Sequence, residues 1–333
     1  MLAASASRKD IPVQLRAIGN VEAFSTVSIK SLVPGEVTGV FFKEGQDVKK
    51  GALLFTIDPH PIEADLRRAE GVLAKDTVEA TNAEVDAGRY SDLFKKGMVS
   101  RQQLDQSVTA AASLKETIRA DRAAIESIKV QLGYTKIYSP IAGKTGNLNV
   151  TRGNIVKANE TPYLVVINQI QPVYVTFSAP EMFLSEIQAL MSKGKLKVAA
   201  RISGDTGAPP EGYLSFIDNA VDITTGNVKL KATFENKSDK KLWPGQFVDV
   251  VLTLSTKLGA TVVPAQAVQN GQKGQYVFVV KPDKTVENRP VVLGLTKDND
   301  AVIEKGINPG ETVVTDGQVR LVPGTKVDIK TSL

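Results

Sequence analysis

The most regular pattern along the chain is a run of mostly apolar positions that step alternately by four and three residues. From Ile62 it passes through Leu66, Ala69, Leu73, Asp76, Ala80, Ala83, Ala87, Tyr90 and Phe94. A second run carries Leu104, Ala111, Ile118, Ile125 and Leu132 at intervals of seven, with Val108, Leu114, Asp121 and Ile128 between them. Both are heptad seams of about four repeats, the spacing that lets one helix lie along another. Gly97 separates the runs and no proline interrupts either, so they predict an antiparallel coiled-coil hairpin. At about 1.5 Å per residue, the stretch from Ile62 to Gly97 reaches roughly 50 Å. Pro61 suits a first helical turn, where its missing amide hydrogen costs nothing, and His60, between two prolines, is expected to cap the helix. Two acidic residues, Asp76 and Asp121, fall on the seam and are expected to tilt to water or to pair with Lys75 and Arg122.

Outside these runs the pattern changes to short β-branched blocks cut by glycine turns, and one block occurs twice. Pro34-Gly35-Glu36-Val37-Thr38-Gly39 leads to Gly45-Gln46-Asp47-Val48-Lys49 and then to Leu53-Leu54-Phe55-Thr56-Ile57. About a hundred residues on, Pro140-Ile141-Ala142-Gly143-Lys144-Thr145-Gly146 leads to Gly153-Asn154-Ile155-Val156-Lys157 and then to Leu164-Val165-Val166-Ile167. A repeated strand block predicts two halves of one small β-sandwich, with the helical hairpin inserted between them. After Gln171 the chain is again β-rich, with strand blocks at Val173–Phe177, Val228–Phe234 and Phe247–Leu252. A short helix running to Met191 carries Phe183, Leu184, Ile187 and Leu190 on its apolar face. That set suits a small barrel with one helix. Strands at Tyr276–Val280, Val291–Leu293 and Thr312–Val314 form a last β region, and Val13–Ile18 is expected to add to one of the late sheets. The predicted fold class is mainly β with a long antiparallel α-helical hairpin. It comprises a sandwich, a small barrel and a final β domain, nested in sequence.

Composition narrows the chemistry. The 333 residues include one histidine and no cysteine. Thiol nucleophiles, disulfides and Cys-ligated metal sites are therefore excluded, and one imidazole remains for any Ser–His or metal chemistry. No G-x-S-x-G, Walker A or H-E-x-x-H motif occurs, so the reading is a non-catalytic protein without a cofactor. Lys and Arg number 41 against 36 Asp and Glu, a net charge of +5, and the basic clusters are short, unlike the stripe of a nucleic-acid binder. No apolar run approaches the roughly 18 residues of a membrane-crossing helix. The first residues lack a long apolar core and read as a cytosolic start or as a mature chain preceded by Met. The four methionines, Met1, Met98, Met182 and Met191, are scattered and form no soft-metal cluster. Asp298-Asn299-Asp300 is too short for a Ca²⁺ loop and reads as a turn.

Four motifs resemble one family in order along the chain. They are Val33–Asp58 with Glu44-Gly45-Gln46-Asp47-Val48, the return segment Leu132–Gly143 followed by Gly146, Leu242-Trp243-Pro244-Gly245-Gln246-Phe247-Val248, and Val263-Pro264-Ala265-Gln266-Ala267-Val268. Together they are similar to the periplasmic adaptor, or membrane fusion, proteins of tripartite efflux pumps, most like those of RND-type transporters. The resemblance implies a non-catalytic adaptor that links an inner-membrane RND transporter to a TolC-like outer-membrane channel for efflux of drugs or other small molecules. Such adaptors assemble as rings, commonly of six, in the periplasm, attached to the inner membrane. The implied domains are a membrane-proximal β domain (8–19 and 257–333) and a β-barrel (20–30 and 170–256). A biotinyl-lipoyl-like sandwich (31–59 and 134–169) and the hairpin (60–133) complete the set. In this family an Arg, a Leu four residues on and a Ser seven further mark the channel-facing hairpin tip, and Arg89, Leu93 and Ser100 stand at that spacing. Ser100 with Gln103 also makes a capping box. Alternatives are an adaptor for an ABC or major-facilitator exporter, or for a metal-ion RND pump. A lipoyl carrier is disfavoured, because about 75 residues of hairpin replace the turn that would present its lysine. Hinges are expected near Leu32, Ile170 and Thr256.

Overall fold

The structure, a computed structural model, describes residues 1–237, 241–271, 274–318 and 321–328. The chain forms two compact units, Ala23–Pro172 and Met1–Glu22 with Val173–Leu333. Residues 329–333 of the expected final domain lie outside the described residues.

In the first unit the repeated strand blocks meet. Leu54, Phe55 and Ile57 from the first copy share one buried core with Leu164, Val165 and Ile167 from the second, joined by Val37, Val48 and Val156. The two copies exchange their turns. Asp47 and Val48 pair with Lys144 and Gly143, and Ile155 and Val156 pair with Glu36 and Gly35. The hydrogen bonds follow the same symmetry. Gly45 N donates to Thr145 O (3.1 Å) as Gly153 N donates to Val37 O (2.9 Å), and Thr145 N donates to Gln46 O (3.0 Å) as Val37 N donates to Asn154 O (2.8 Å). At Gly143 the backbones approach so closely that a Cβ would sit 2.6 Å from the carbonyl oxygen of Asn168, so only glycine fits there. Strands Leu53–Ile57 and Lys136–Tyr138 are antiparallel neighbours, and the helices leave and return between them.

Those helices are α1, His60–Lys95, and α2, Arg101–Gly133. They pack along each other, and their 36 and 33 residues give lengths of about 50 Å. Ala80 is the buried residue of α1 and Ile125 that of α2, so the packed seam is narrow. Pro61 lies in the first turn of α1, but His60 does not cap it. The helix already begins at His60 with Pro59 before it, and the Asp58 carboxylate accepts from His60 N at 3.1 Å. Asp58 also contacts the His60 ring at Nδ1. These bonds hold its carboxyl below the ordinary aspartate range. An aspartate satisfies a free helix amide better than an imidazole does, because its oxygens only accept.

In the second unit, antiparallel strands run in the order Ser7–Ile29, Phe247–Pro264, Lys197–Ile202, Glu211–Asp222, Asn227–Phe234 and Val165–Pro180. Ser7–Ile29 also pairs with Val165–Pro180, which closes a barrel. Its interior holds Val175, Phe177, Leu230, Phe234, Val250 and Leu252. A single 3-10 turn, Glu181–Phe183, leads into α3, Leu184–Met191, which buries Ile187 as its apolar spacing predicts. The Trp-Pro-Gly-Gln motif seats the long strand Phe247–Pro264. Gly245 N donates to Val21 O (2.8 Å) and Val21 N to Gln246 O (2.9 Å). Val13–Ile18 joins this barrel strand, with Ile18 opposite Asp249 and Leu15 opposite Leu252, in the sheet that also carries the late strands Val292–Lys297 and Asp300–Lys305. The other late sheet is completed by Leu2–Ser5, which pairs with Thr312–Asp316. Its core contains Val263, Val277, Val279, Ile303 and Val313.

Candidate functional site

The far end of the α1–α2 pair carries the three residues singled out by their spacing. The helix end is closed by its backbone. Met98 N donates to Leu93 O (3.0 Å) and Gly97 N to Phe94 O (2.9 Å), the reciprocal pair of a Schellman stop. Gly97 has φ +70°, a left-handed conformation that glycine adopts without a Cβ penalty. The next helix starts with a capping box. Gln103 N donates to Ser100 Oγ (3.2 Å) and Ser100 N to Gln103 Oε1 (3.0 Å). Residues 96–100 are therefore held at both edges, and the tip has a defined shape.

Arg89 and Leu93 lie four apart on α1, one turn above each other on the same side. Arg89 is exposed and its guanidinium meets Asp86 at 3.0 Å. Leu93 is half-buried and Ser100 is exposed. Ser100's polar contacts are the capping ones, and no hydrogen bond joins the three residues to one another among the described residues. The arrangement presents an exposed cation and a half-buried apolar side chain on α1 and a small hydroxyl at the edge of the fixed turn.

Two seam assignments change near this end. Phe94 is 40% exposed and Leu93 turns inward in its place, while Val108 is 50% exposed and Ser107 is the half-buried residue. An α-helix drifts against a strict heptad, so neighbouring apolar residues compete for one seam position. The outcome leaves Phe94 and Met98, the latter 70% exposed, as apolar groups beside the turn. Spacing from Arg89 to Ser100 did not single them out; the signal available was two large apolar residues bracketing the glycine turn.

Farther down, Asp76 pairs with Lys75 (3.4 Å), and Lys75 also reaches Glu79 (3.3 Å). Asp121 does not pair with Arg122. It faces Asp76 across the seam, within hydrogen-bonding reach. Among the described residues no group of three or more His, Cys, Asp or Glu is placed to hold a metal ion. Nor is any helix long and apolar enough to cross a membrane.

The sandwich, the barrel and the last β region coincide with three family models. The RND MFP barrel-sandwich hybrid domain matches residues 25–168. The RND MFP beta-barrel domain matches 172–256 and the C-terminal permuted SH3 domain 259–320. Multidrug resistance protein MdtA of Erwinia amylovora is 39% identical over 327 residues, covering 98% of this chain and 80% of that protein. MdtA of Klebsiella pneumoniae is 38% identical over 331 residues, covering 99% and 80%. MacA from Actinobacillus actinomycetemcomitans shares the fold, with a TM-score of 0.68 at 23% identity over 95% of this chain and all of that one. A MacA–MexA chimeric protein containing the Pseudomonas aeruginosa MexA alpha-hairpin domain has a TM-score of 0.61 at 25% identity, over 92% of this chain and 98% of that one. The family models and relatives mark the chain as a periplasmic, non-catalytic adaptor. The chain belongs to the RND membrane fusion protein family, whose members work in efflux with an inner-membrane transporter and an outer-membrane channel.

Proposed function

We propose that this adaptor serves a multidrug RND pump and that its α1–α2 pair, acting as a coiled-coil hairpin, docks by its tip on a TolC-like channel. The observation that carries the reading is the locked turn with Ser100 at its edge and Arg89 and Leu93 on the helix leading into it, with Phe94 and Met98 left apolar and exposed beside it. Clustered apolar groups with a cation at a rigid helix end fit side-by-side recognition by another helical pair. The MdtA names of the relatives support drugs as cargo. In this reading the sandwich (31–59 and 134–169) packs against its neighbours in a ring of six. The barrel (20–30 and 170–256) and the membrane-proximal domain (8–19 and 257–333) grip the transporter at the inner membrane, where the adaptor is attached. Bending near Leu32, Ile170 and Thr256 would let these parts adjust.

The test is efflux complementation by Arg89→Asp combined with Ser100→Phe, with helix content checked by circular dichroism. Drug resistance is expected to fall to the level of cells lacking the adaptor while the helical signal is kept. Full resistance with the double variant expressed at normal levels would overturn the tip assignment.

A further inference from the structure

Midway along the α1–α2 seam, two carboxyls meet where the helices are best packed. Asp76 lies one turn from Ala80 and Asp121 one turn from Ile125, and these neighbours are the buried residues of the two helices. Only 14% of the Asp76 side chain is exposed. Asp121 Oδ2 is sealed from solvent and has no hydrogen-bond donor. The charged groups around the pair are few. Lys75 binds Asp76 and Glu79 from α1, and on α2 Arg122 points to solvent. Two carboxylates this close cannot both stay ionised cheaply, whereas one protonated carboxyl donates a hydrogen bond to the other.

We infer that Asp76 and Asp121 share a proton across the seam and make the helix pair a pH-dependent clasp, tighter in acid and looser toward neutral and alkaline pH. Burial, and then the Asp76 carboxyl, raise the proton affinity of Asp121 above the ordinary aspartate range, while Lys75 opposes them. The sign follows from linkage. The packed pair binds this proton more tightly than separated helices do, so the gain is complete below the ordinary aspartate range. It is lost as pH rises through the raised value. An aspartate at each of these seam positions costs packing, and a shared proton is what lets both be buried together.

The clasp needs only the helix pair, so its test and the efflux assay can fail separately. The measurement is amide hydrogen exchange of the full chain between about pH 3.5 and pH 8, corrected for intrinsic rates, read at Leu73, Ala80, Ile118 and Ile125. Protection in the unaltered protein is expected to drop severalfold over that range, as pH rises through the raised proton affinity of Asp121. Asp121→Asn supplies an amide that donates to Asp76 at every pH, so its protection should change less than about twofold and at pH 8 exceed that of the unaltered protein. Asp121→Leu, which removes the titrating group and fills the seam, should behave likewise. Lys75→Ala should move the drop to higher pH, an effect that lost packing would not produce. Protection that is flat from about pH 3.5 to pH 8 in the unaltered protein would overturn the clasp. So would a drop of the same size retained by both Asp121 variants.

Discussion

The sandwich and the helix pair lie in the same unit, yet they are held together in opposite ways. In the sandwich Leu54, Phe55, Val165 and Ile167 are fully enclosed, and the two sequence copies clasp each other's turns by matched hydrogen bonds. In the helix pair one residue per helix is buried, and the ends are fixed by backbone and side-chain caps. The sandwich therefore draws on area removed from water and packing without voids. The helices draw on a narrow seam and on local bonds worth about 1 kcal/mol each. Reach and rigidity are divided between the two regions. The helices project far because they bury little, and the sandwich holds their base because it buries much.

The largest effect that would break this contrast lies in the sandwich. Phe55→Ala removes a ring packed edge-on against Phe42 at 5.3 Å and should cost about 3–5 kcal/mol, read as a lower urea midpoint at unchanged slope. A loss below about 1 kcal/mol would mean that the core is not the main support of this unit. Next comes the tip. Ser100→Ala removes the side-chain acceptor of the capping box and should cost about 1 kcal/mol, whereas Ser100→Asn, another good cap, should restore nearly all of it. Exchange of the first amides of α2 would show both, and equal loss in the two variants would argue that the hydroxyl works in some other way. The smallest effect is expected at Lys95, whose bridge to Asp92 (3.0 Å) is exposed on both sides. Lys95→Ala should change stability by less than about 0.5 kcal/mol, a shift that salt titration would further erase.

These regions were not equally legible in the sequence. The seam from Ile62 to Tyr90 could be read because helix periodicity is local, and Ser100 with Gln103 could be read as a cap for the same reason. Near Gly97 the reading chose Phe94 and Val108 where the fold uses Leu93 and Ser107, since apolar content alone does not decide between adjacent positions. His60, set between two prolines, is the expected cap, although the Asp58 carboxylate is the better acceptor for a helix amide. The strand echo revealed the sandwich but not that each copy's turn pairs with the other copy. That exchange depends on contacts about a hundred residues apart. Leu2–Ser5 carries too few residues to be recognised as a strand before Thr312–Asp316 is beside it. Arg89, Leu93 and Ser100 were found by family spacing, while Asp121 facing Asp76 needed the packed seam.

The helices enter and leave between two neighbouring antiparallel strands, where Ile57 N bonds Thr135 O at 2.8 Å. In topological terms the α1–α2 pair is an oversized turn. Two helices packed along each other form by local contacts and return the chain to one place, so the halves of the sandwich meet as if joined by a short loop rather than by about 75 free residues. Its length is then a free variable for evolution. Whole heptads can be added to or removed from both arms together, changing the distance spanned without touching a single sandwich contact.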